Sequence, residues 1–214
     1  MKHIYFIRHA PTIVNKTGEM VNDYKNVHIT PLTKSEIYNW FDKVGKHIEI
    51  FKHVYISNTT RTYETAQILA PSVNAIVNDA LNEIDCSGLG NKKFWKISED
   101  KFNKLVSVNL EQFDLKVKMF ISEILNLESD NIVCITHGLY IRHLYHLLTN
   151  NKADTLYKQI NSIDFRFNPL DMMEIIYSEN IETNKKSCKS LKNSQINIFN
   201  DDYKIKQINI YRYK

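Results

Sequence analysis

The sequence predicts an α/β fold, a three-layer sandwich whose central, mainly parallel sheet is covered by helices on both faces. Two observations carry the prediction. Short, continuous β-branched and aromatic runs (His3 to Ile7, His53 to Ser57, Asn131 to Thr136) read as strands buried on both faces. Between them, apolar positions recur at spacings of three and four, the period of one helical face. Strands alternating with helices are what a parallel sheet with crossover connections requires. The length permits it: 214 residues, 43% hydrophobic and 24% charged, bury enough surface to need no disulfide or metal staple.

The first strand ends at Arg8. Thr33-Lys34-Ser35-Glu36 is a capping-box pattern and opens a helix with Ile37, Trp40, Phe41, Val44 and Ile48 on one face. After the strand at 53–57, Thr59 or Thr60 caps a helix running through Arg61 to about Leu69, stopped by Pro71. Val73 to Val77 is a short strand, and residues 84–96 form an irregular loop around Gly88 and Gly90. Ser98 to about Leu127 is mostly helical, its apolar positions including Phe102, Phe113, Val117, Phe120, Ile121 and Ile124. Asn131 to Thr136 is the clearest buried strand, and it runs into His137-Gly138 and a helix ending near Leu148.

Farther on, Asp164 to Phe167 and Met172 to Tyr177 read as strands, and 179–194 is polar. The lysines at 185, 186, 189 and 192 in that stretch read as a solvated loop. Ile196 and Ile198, with Ile205, Ile208 and Ile210, flank the turn residues Asn200-Asp201-Asp202 and predict a C-terminal hairpin. The expected organisation is one domain over 1–214, with 150–194 as a partly irregular insertion or appendage and 195–214 as a hairpin of the same domain.

Composition excludes several classes. Twelve Tyr and ten Phe argue against a wholly disordered chain. No apolar run approaches the ~20 residues that cross a bilayer. The N-terminus meets Arg8 too early for a secretory core, so the expected location is the cytoplasm. Cys86, Cys134 and Cys188 are odd in number and widely spaced, and they read as reduced thiols rather than a zinc site. A net charge of +4 is too mild to imply nucleic acid.

Ligands bind at the carboxyl ends of strands in such sheets. Arg8-His9 follows the first strand, Ser57 to Arg61 the second, and His137 the strand at 131–136, so three basic elements converge on one sheet edge. Guanidinium forks match phosphate oxygens, and a helix N-terminus adds N–H donors. A neutral imidazole is a competent nucleophile. Phosphoryl transfer needs mainly in-line positioning and charge stabilisation, and a carboxylic acid near the leaving oxygen would protonate it.

Ile7-Arg8-His9-Ala10-Pro11-Thr12-Ile13-Val14-Asn15 resembles the Arg-His-Gly signature of the histidine phosphatase superfamily, the phosphoglycerate mutase-like family. Further matches follow in the family's order: Pro31-Leu32-Thr33, the segment from Ser57 through Arg61 to Thr65-Ala66, Leu81-Asn82-Glu83-Ile84-Asp85, and Thr136 through His137-Gly138 to Arg142. The resemblance covers roughly residues 1–150. It implies the phosphoglycerate mutase-like fold and phosphatase activity, with His9 as the nucleophile that becomes phosphohistidine. Arg8, Arg61 and His137 would bind the phosphate oxygens, with Thr12 and Asn15 lining the same pocket. Glu83 would donate the proton to the leaving group and then activate water, with Asp85 as the reserve acid.

Departures are visible. Ala10 and Leu139 stand where the family has glycine, and Cys86-Ser87-Gly88-Leu89-Gly90 replaces a glycine-tryptophan-glutamate-glycine run. Ala10 requires a negative φ there. The expected function is a metal-independent phosphomonoester hydrolase acting through phospho-His9 on a small phosphorylated metabolite, without metal or cofactor. A cofactor-dependent phosphoglycerate mutase is the alternative, but mutases carry clustered arginines in the middle, and residues 84–130 here contain none. A phosphate-binding module without turnover is the second alternative. Expected partners are a phosphorylated small molecule and neither nucleic acid nor a membrane, and a homodimer is left open.

Overall fold

The computed structural model describes residues 1–18, 24–48, 51–85, 93, 96–149, 166–179 and 203–213. Six strands form one sheet: β1 (Lys2–Arg8), β2 (His53–Ile56), β3 (Ile76–Val77), β4 (Asn131–Thr136), β5 (Met172–Glu179) and β6 (Tyr203–Tyr211). Their order is β3-β2-β4-β1-β5-β6, with the first four parallel and β5 and β6 added as an antiparallel pair. The helices are α1 (Ile13–Thr17), α2 (Lys34–Lys43), α3 (Thr60–Leu69), α4 (Glu99–Leu125) and α5 (Gly138–Leu148). No described helix is long and apolar enough to cross a membrane.

Strand alternation sorts the core into two layers, as the period of two dictates. Ile4, Phe6, Tyr55, Ile132 and Cys134 face α4 and α5, where they meet Phe113, Phe120, Ile124, Tyr140 and Ile141. Tyr5, Ile7, Val54, Ile56, Val133 and Ile135 face α2 and α3, where they meet Trp40, Val44, Ala66 and Leu69. The continuous apolar runs are therefore two half-patterns, one for each face.

The capping box at Thr33 forms as expected, Thr33 Oγ1 accepting from the N–H of Glu36 and Glu36 Oε2 accepting from the N–H of Thr33 at 2.8 Å. Ser98 caps α4. The face of α2 was expected to extend to Ile48; the α-helix ends at Lys43 and a 3-10 turn at Gly45–His47 carries the chain on, leaving Val44 and Ile48 still in the core. Gly45 sits where a Cβ would lie 2.6 Å from Phe41 and 2.8 Å from Trp40, too close for a continuing helix with a side chain.

Three strand expectations change. Only Ile76–Val77 of 73–77 is strand, because the N–H of Val73 turns back to the Ala70 carbonyl. Arg166 and Phe167, the described part of 164–167, are irregular: the Phe167 carbonyl receives Nη1 of Arg8 instead of a strand neighbour. The strand at 172 extends to Glu179 and lies between β1 and β6, antiparallel to both. The expected first hairpin arm, Ile196 and Ile198, lies outside the described residues, as do the loop glycines 88 and 90, the lysines at 185–192, and Cys86 and Cys188. The short helix α1 was not anticipated.

Candidate active site

The register of three parallel strands assembles the site. Arg8 is paired with Thr136, the N–H of His9 donates to the Thr136 carbonyl at 2.9 Å, and the N–H of Ser57 donates to Ile135 at 3.2 Å. His9, Ser57 and His137 thus emerge side by side at the carboxyl edge. The two imidazoles lie edge to face with centroids 5.4 Å apart.

His9 is buried. Its Nδ1–H donates to the Ala10 carbonyl at 2.8 Å, which leaves the Nε2 lone pair as the ring's basic site. Burial first, then the Arg61 and Arg8 charges, hold its pKa well below the ordinary histidine value, so the ring is neutral at pH 7. The N–H of Ala10 is caught by Thr65 Oγ1 at 2.9 Å, which fixes the turn directly after the histidine. Positive φ among the described non-glycine residues occurs only at Leu170, so Ala10 meets the requirement for a side chain where the family has glycine.

Arg8 donates through Nη1 to the Phe167 carbonyl, while its buried Nε has no partner among the described residues. Its guanidinium lies against the first residue of α5: a Cβ on Gly138 would come within 3.1 Å of Arg8 Nε. Burial pulls its pKa down to about 10, against the pull of Glu83 and Asp171. Arg61, near the start of α3, donates through Nη1 to the Tyr24 carbonyl and through Nη2 to His137 Nδ1 at 2.9 Å. His137, fully buried, places Nε2 at 2.8 Å from Ser57 Oγ. Burial, Arg61, His9 and Arg8 lower its pKa well below the ordinary value.

Glu83 follows a 3-10 turn at Asp79–Leu81 and sits on the N-terminus of α5. Its Oε1 accepts from the N–H of Tyr140 at 2.9 Å, and its Oε2 lies 3.9 Å from His137 Nδ1. Burial raises its pKa, although Arg61, Arg8 and the N–H donors of α5 oppose the shift. Glu83 is thereby the carboxyl group facing both arginines, whereas Asp85 is exposed.

Thr12 and Asn15 are close to the pocket in sequence, yet their side chains form the capping box of α1. Asn15 Oδ1 accepts from the N–H of Thr12 at 3.0 Å, and Thr12 Oγ1 accepts from the N–H of Asn15 at 3.2 Å. Leu139 packs against the α4 side of the core. Sequence reasoning did not single out Ser57, Thr65, Asp171 or the Phe167 and Tyr24 carbonyls. Ser57 and Thr65 stood inside a quoted motif; a backbone carbonyl carries no residue signal at all.

An open cleft of about 330 Å³ adjoins the pocket. Lys25, Asn58, Thr60, Tyr63 and Val77 line it, together with Ser57 and Thr59.

Residues 4–163 match the histidine phosphatase superfamily (branch 1). A protein of Hydrogenobacter thermophilus that carries the name phosphoserine phosphatase 2, with that activity not established, is 24% identical over 175 residues, 73% of this chain and 83% of the relative. Among solved structures, a phosphoserine phosphatase from Entamoeba histolytica, seen with 3-phosphoglyceric acid, superposes with a TM-score of 0.64 at 17% identity, covering 82% of this chain and 91% of the other. A phosphoglycerate mutase from Bacillus anthracis gives 0.59 at 18% identity, over 81% and 87%. These structures share the fold. The match of the family over most of the chain, with its motif residues gathered at one sheet edge, settles the classification: the chain belongs to branch 1 of the histidine phosphatase superfamily and is a phosphatase.

Proposed function

We propose that the protein hydrolyses phosphomonoesters through a phosphohistidine formed on His9 Nε2, with the phosphoryl oxygens held by Arg8, Arg61 and His137. The observation that carries the reading is the His9 ring itself. It is neutral, its Nδ1–H is committed to the Ala10 carbonyl, and Nε2 is left as the nucleophile among two guanidinium groups. The lone pair attacks phosphorus as the ester oxygen leaves, and the arginines stabilise the equatorial charge. Glu83, with its raised pKa, gives its proton to the leaving oxygen. As a carboxylate it then takes a proton from the water that attacks the phosphohistidine, which regenerates His9 and releases phosphate.

The guanidinium groups supply the charge stabilisation, so no step in this reading calls for a metal. Asn15 and Thr12 support the pocket from α1. The relatives' names concern small phosphorylated acids in those proteins, and the neighbouring cleft is of a size to receive a small leaving group. We therefore place the substrate among small phosphorylated metabolites and the protein in the cytoplasm, and we take 1–214 as one domain.

The test is hydrolysis of p-nitrophenyl phosphate in the presence of a chelator, followed by rapid acid and base quench with radiolabelled ester. Activity lost in His9→Ala and an acid-labile, base-stable label on His9 are the expected results. Full activity of His9→Ala, or label on serine or aspartate, would sink the reading.

A further inference from the structure

We propose that Ser57 is a positioning residue that holds His137 in its Nε2–H tautomer, so that the phosphoryl group enters the site together with one proton. This rests on the reading above that the pocket receives a phosphoryl group.

The tautomer follows from two contacts at opposite sides of one ring. Arginine can only donate, so Arg61 Nη2, at 2.9 Å, finds an unprotonated Nδ1. The proton of a neutral ring is then on Nε2, which donates to Ser57 Oγ at 2.8 Å. Ser57 is fully buried, and its own hydroxyl has a destination. Thr62 Oγ1 lies at 3.0 Å and Thr59 Oγ1 at 3.1 Å, while Thr62 Oγ1–H donates onward to the Ser57 carbonyl at 2.8 Å. The hydroxyl chain runs in one direction, from His137 to Ser57 to Thr62 to backbone, and every member is satisfied.

The consequence lies at Nδ1. Its lone pair is held by Arg61 Nη2–H, and a dianionic phosphate oxygen that draws Arg61 onto itself meets like charge density at Nδ1 rather than a donor. Nδ1 becomes a donor when it gains a proton, from solvent or from the monoanion of the ligand. One N–H bond forms, the O–H bond of the proton's source breaks, and Arg61 Nη2 gives up Nδ1 for a phosphate oxygen. Obtaining Nδ1–H from the neutral ring instead would require Ser57 to turn its O–H from the threonines onto Nε2 and the buried hydroxyl cluster to re-pair. In the unliganded site the imidazolium is opposed from two elements: Arg8 and His9 at the end of β1, and Arg61 on α3. Glu83, 3.9 Å away before α5, is the one group among the described residues that faces it and favours it. The phosphoryl dianion supplies the missing counter-charge, so ligand and proton stabilise each other.

The experiment is calorimetric titration of the full chain with inorganic phosphate near pH 8, in two buffers of different ionisation enthalpy. About one proton taken up per phosphate dianion is expected, with affinity falling close to tenfold per pH unit above pH 7.5. Ser57→Ala removes the acceptor at Nε2, so that once Arg61 has turned to the phosphate a neutral His137 can present Nδ1–H. Its proton uptake drops toward zero and its pH dependence flattens, while Ser57→Thr restores both. A role for Ser57 in folding alone would weaken binding without changing the proton count. Phosphate bound by the unmodified chain with no proton uptake, or uptake unchanged in folded Ser57→Ala, overturns the proposal and leaves the phosphatase reading standing. A folded chain that binds no phosphate at any pH overturns both.

Discussion

Glu83 and His9 are driven toward neutrality by the same cause, because burial penalises the charged form of an acid and of a base alike. One site therefore holds a neutral imidazole, the nucleophile of the proposed mechanism, and a carboxyl group that keeps its proton further toward neutral pH. Glu83→Gln can still accept from the N–H of Tyr140 but has no proton to give. Hydrolysis of alkyl phosphates should drop by about 10²–10⁴-fold, the usual worth of a general acid. Hydrolysis of p-nitrophenyl phosphate should fall far less, since nitrophenolate leaves unaided. For alkyl esters kcat/KM should decline as pH rises through the Glu83 pKa, while the limb set by His9 lies well below pH 6.5. Equal losses on both esters would take the proton-donor role from Glu83. Gly138 tests the other wall. Alanine there pushes on the Arg8 guanidinium from 3.1 Å. Alanine favours the first turn of α5, so stability holds while KM rises about tenfold, or about 1.4 kcal/mol of binding. An unchanged KM would show that Arg8 can shift without cost.

The element that secures Arg8 is the segment from Phe167 to Asp171, which enters β5. The N–H of Leu170 donates to the Arg8 carbonyl and the N–H of Arg8 donates to the Asp171 carbonyl, each at 3.0 Å. The Leu170 carbonyl receives Trp40 Nε1 at 2.9 Å, and Leu170 is held at a φ of 68°, a conformation that leucine rarely adopts. The buried Asp171 carboxylate accepts from the N–H groups of Asn168 and Tyr213 and from Arg212 Nη1 at 2.9 Å. Asp171→Ala should cost about 3–5 kcal/mol in urea unfolding, because three donors lose a buried acceptor together. A change under about 1 kcal/mol would mean that solvent replaces the carboxylate.

Such an element shows where sequence reading stops. Strands β1, β2 and β4 and helices α2 to α5 were legible because periodicity, caps and Pro71 are local signals. The basic pocket residues were legible because each comes soon after a strand, whereas Glu83, after a 3-10 turn, was named only through the family resemblance. Asp171 was not, since its meaning depends on Arg212 and Tyr213, some forty residues away. Helix α1 is five residues long, and its box closes with Asn15 rather than the usual Glu or Gln. The pairing of β6 with β5 joins strands well apart in sequence, which no local pattern states.

Over the whole molecule, placing neutral histidines at a cationic sheet edge couples stability to pH. The folded-state pKa values of His9 and His137 lie below the unfolded value near 6.5. Below about pH 6.5 the unfolded chain therefore binds protons that the folded chain refuses, and stability falls as pH falls. Glu174 acts in the same direction at lower pH. Burial alone would raise its pKa, but hydrogen bonds from His3, Asn209 and Tyr211 outweigh that and lower it, so its contribution is lost as pH drops through the carboxylate range. Glu83, with its raised pKa, works against both. His146, whose pKa burial also lowers, joins His9, His137 and Glu174, and four groups to one favour acid sensitivity. Urea midpoints measured from pH 8 to pH 5 should fall, and the fall between pH 7 and pH 5 should be shallower in His9→Ala, which has one histidine fewer to protonate on unfolding. Phosphate should recover part of the loss, about 2.7 kcal/mol at a hundredfold excess over its Kd, since only the folded chain presents the pocket. An identical slope in His9→Ala would mean that the buried ring does not carry this linkage.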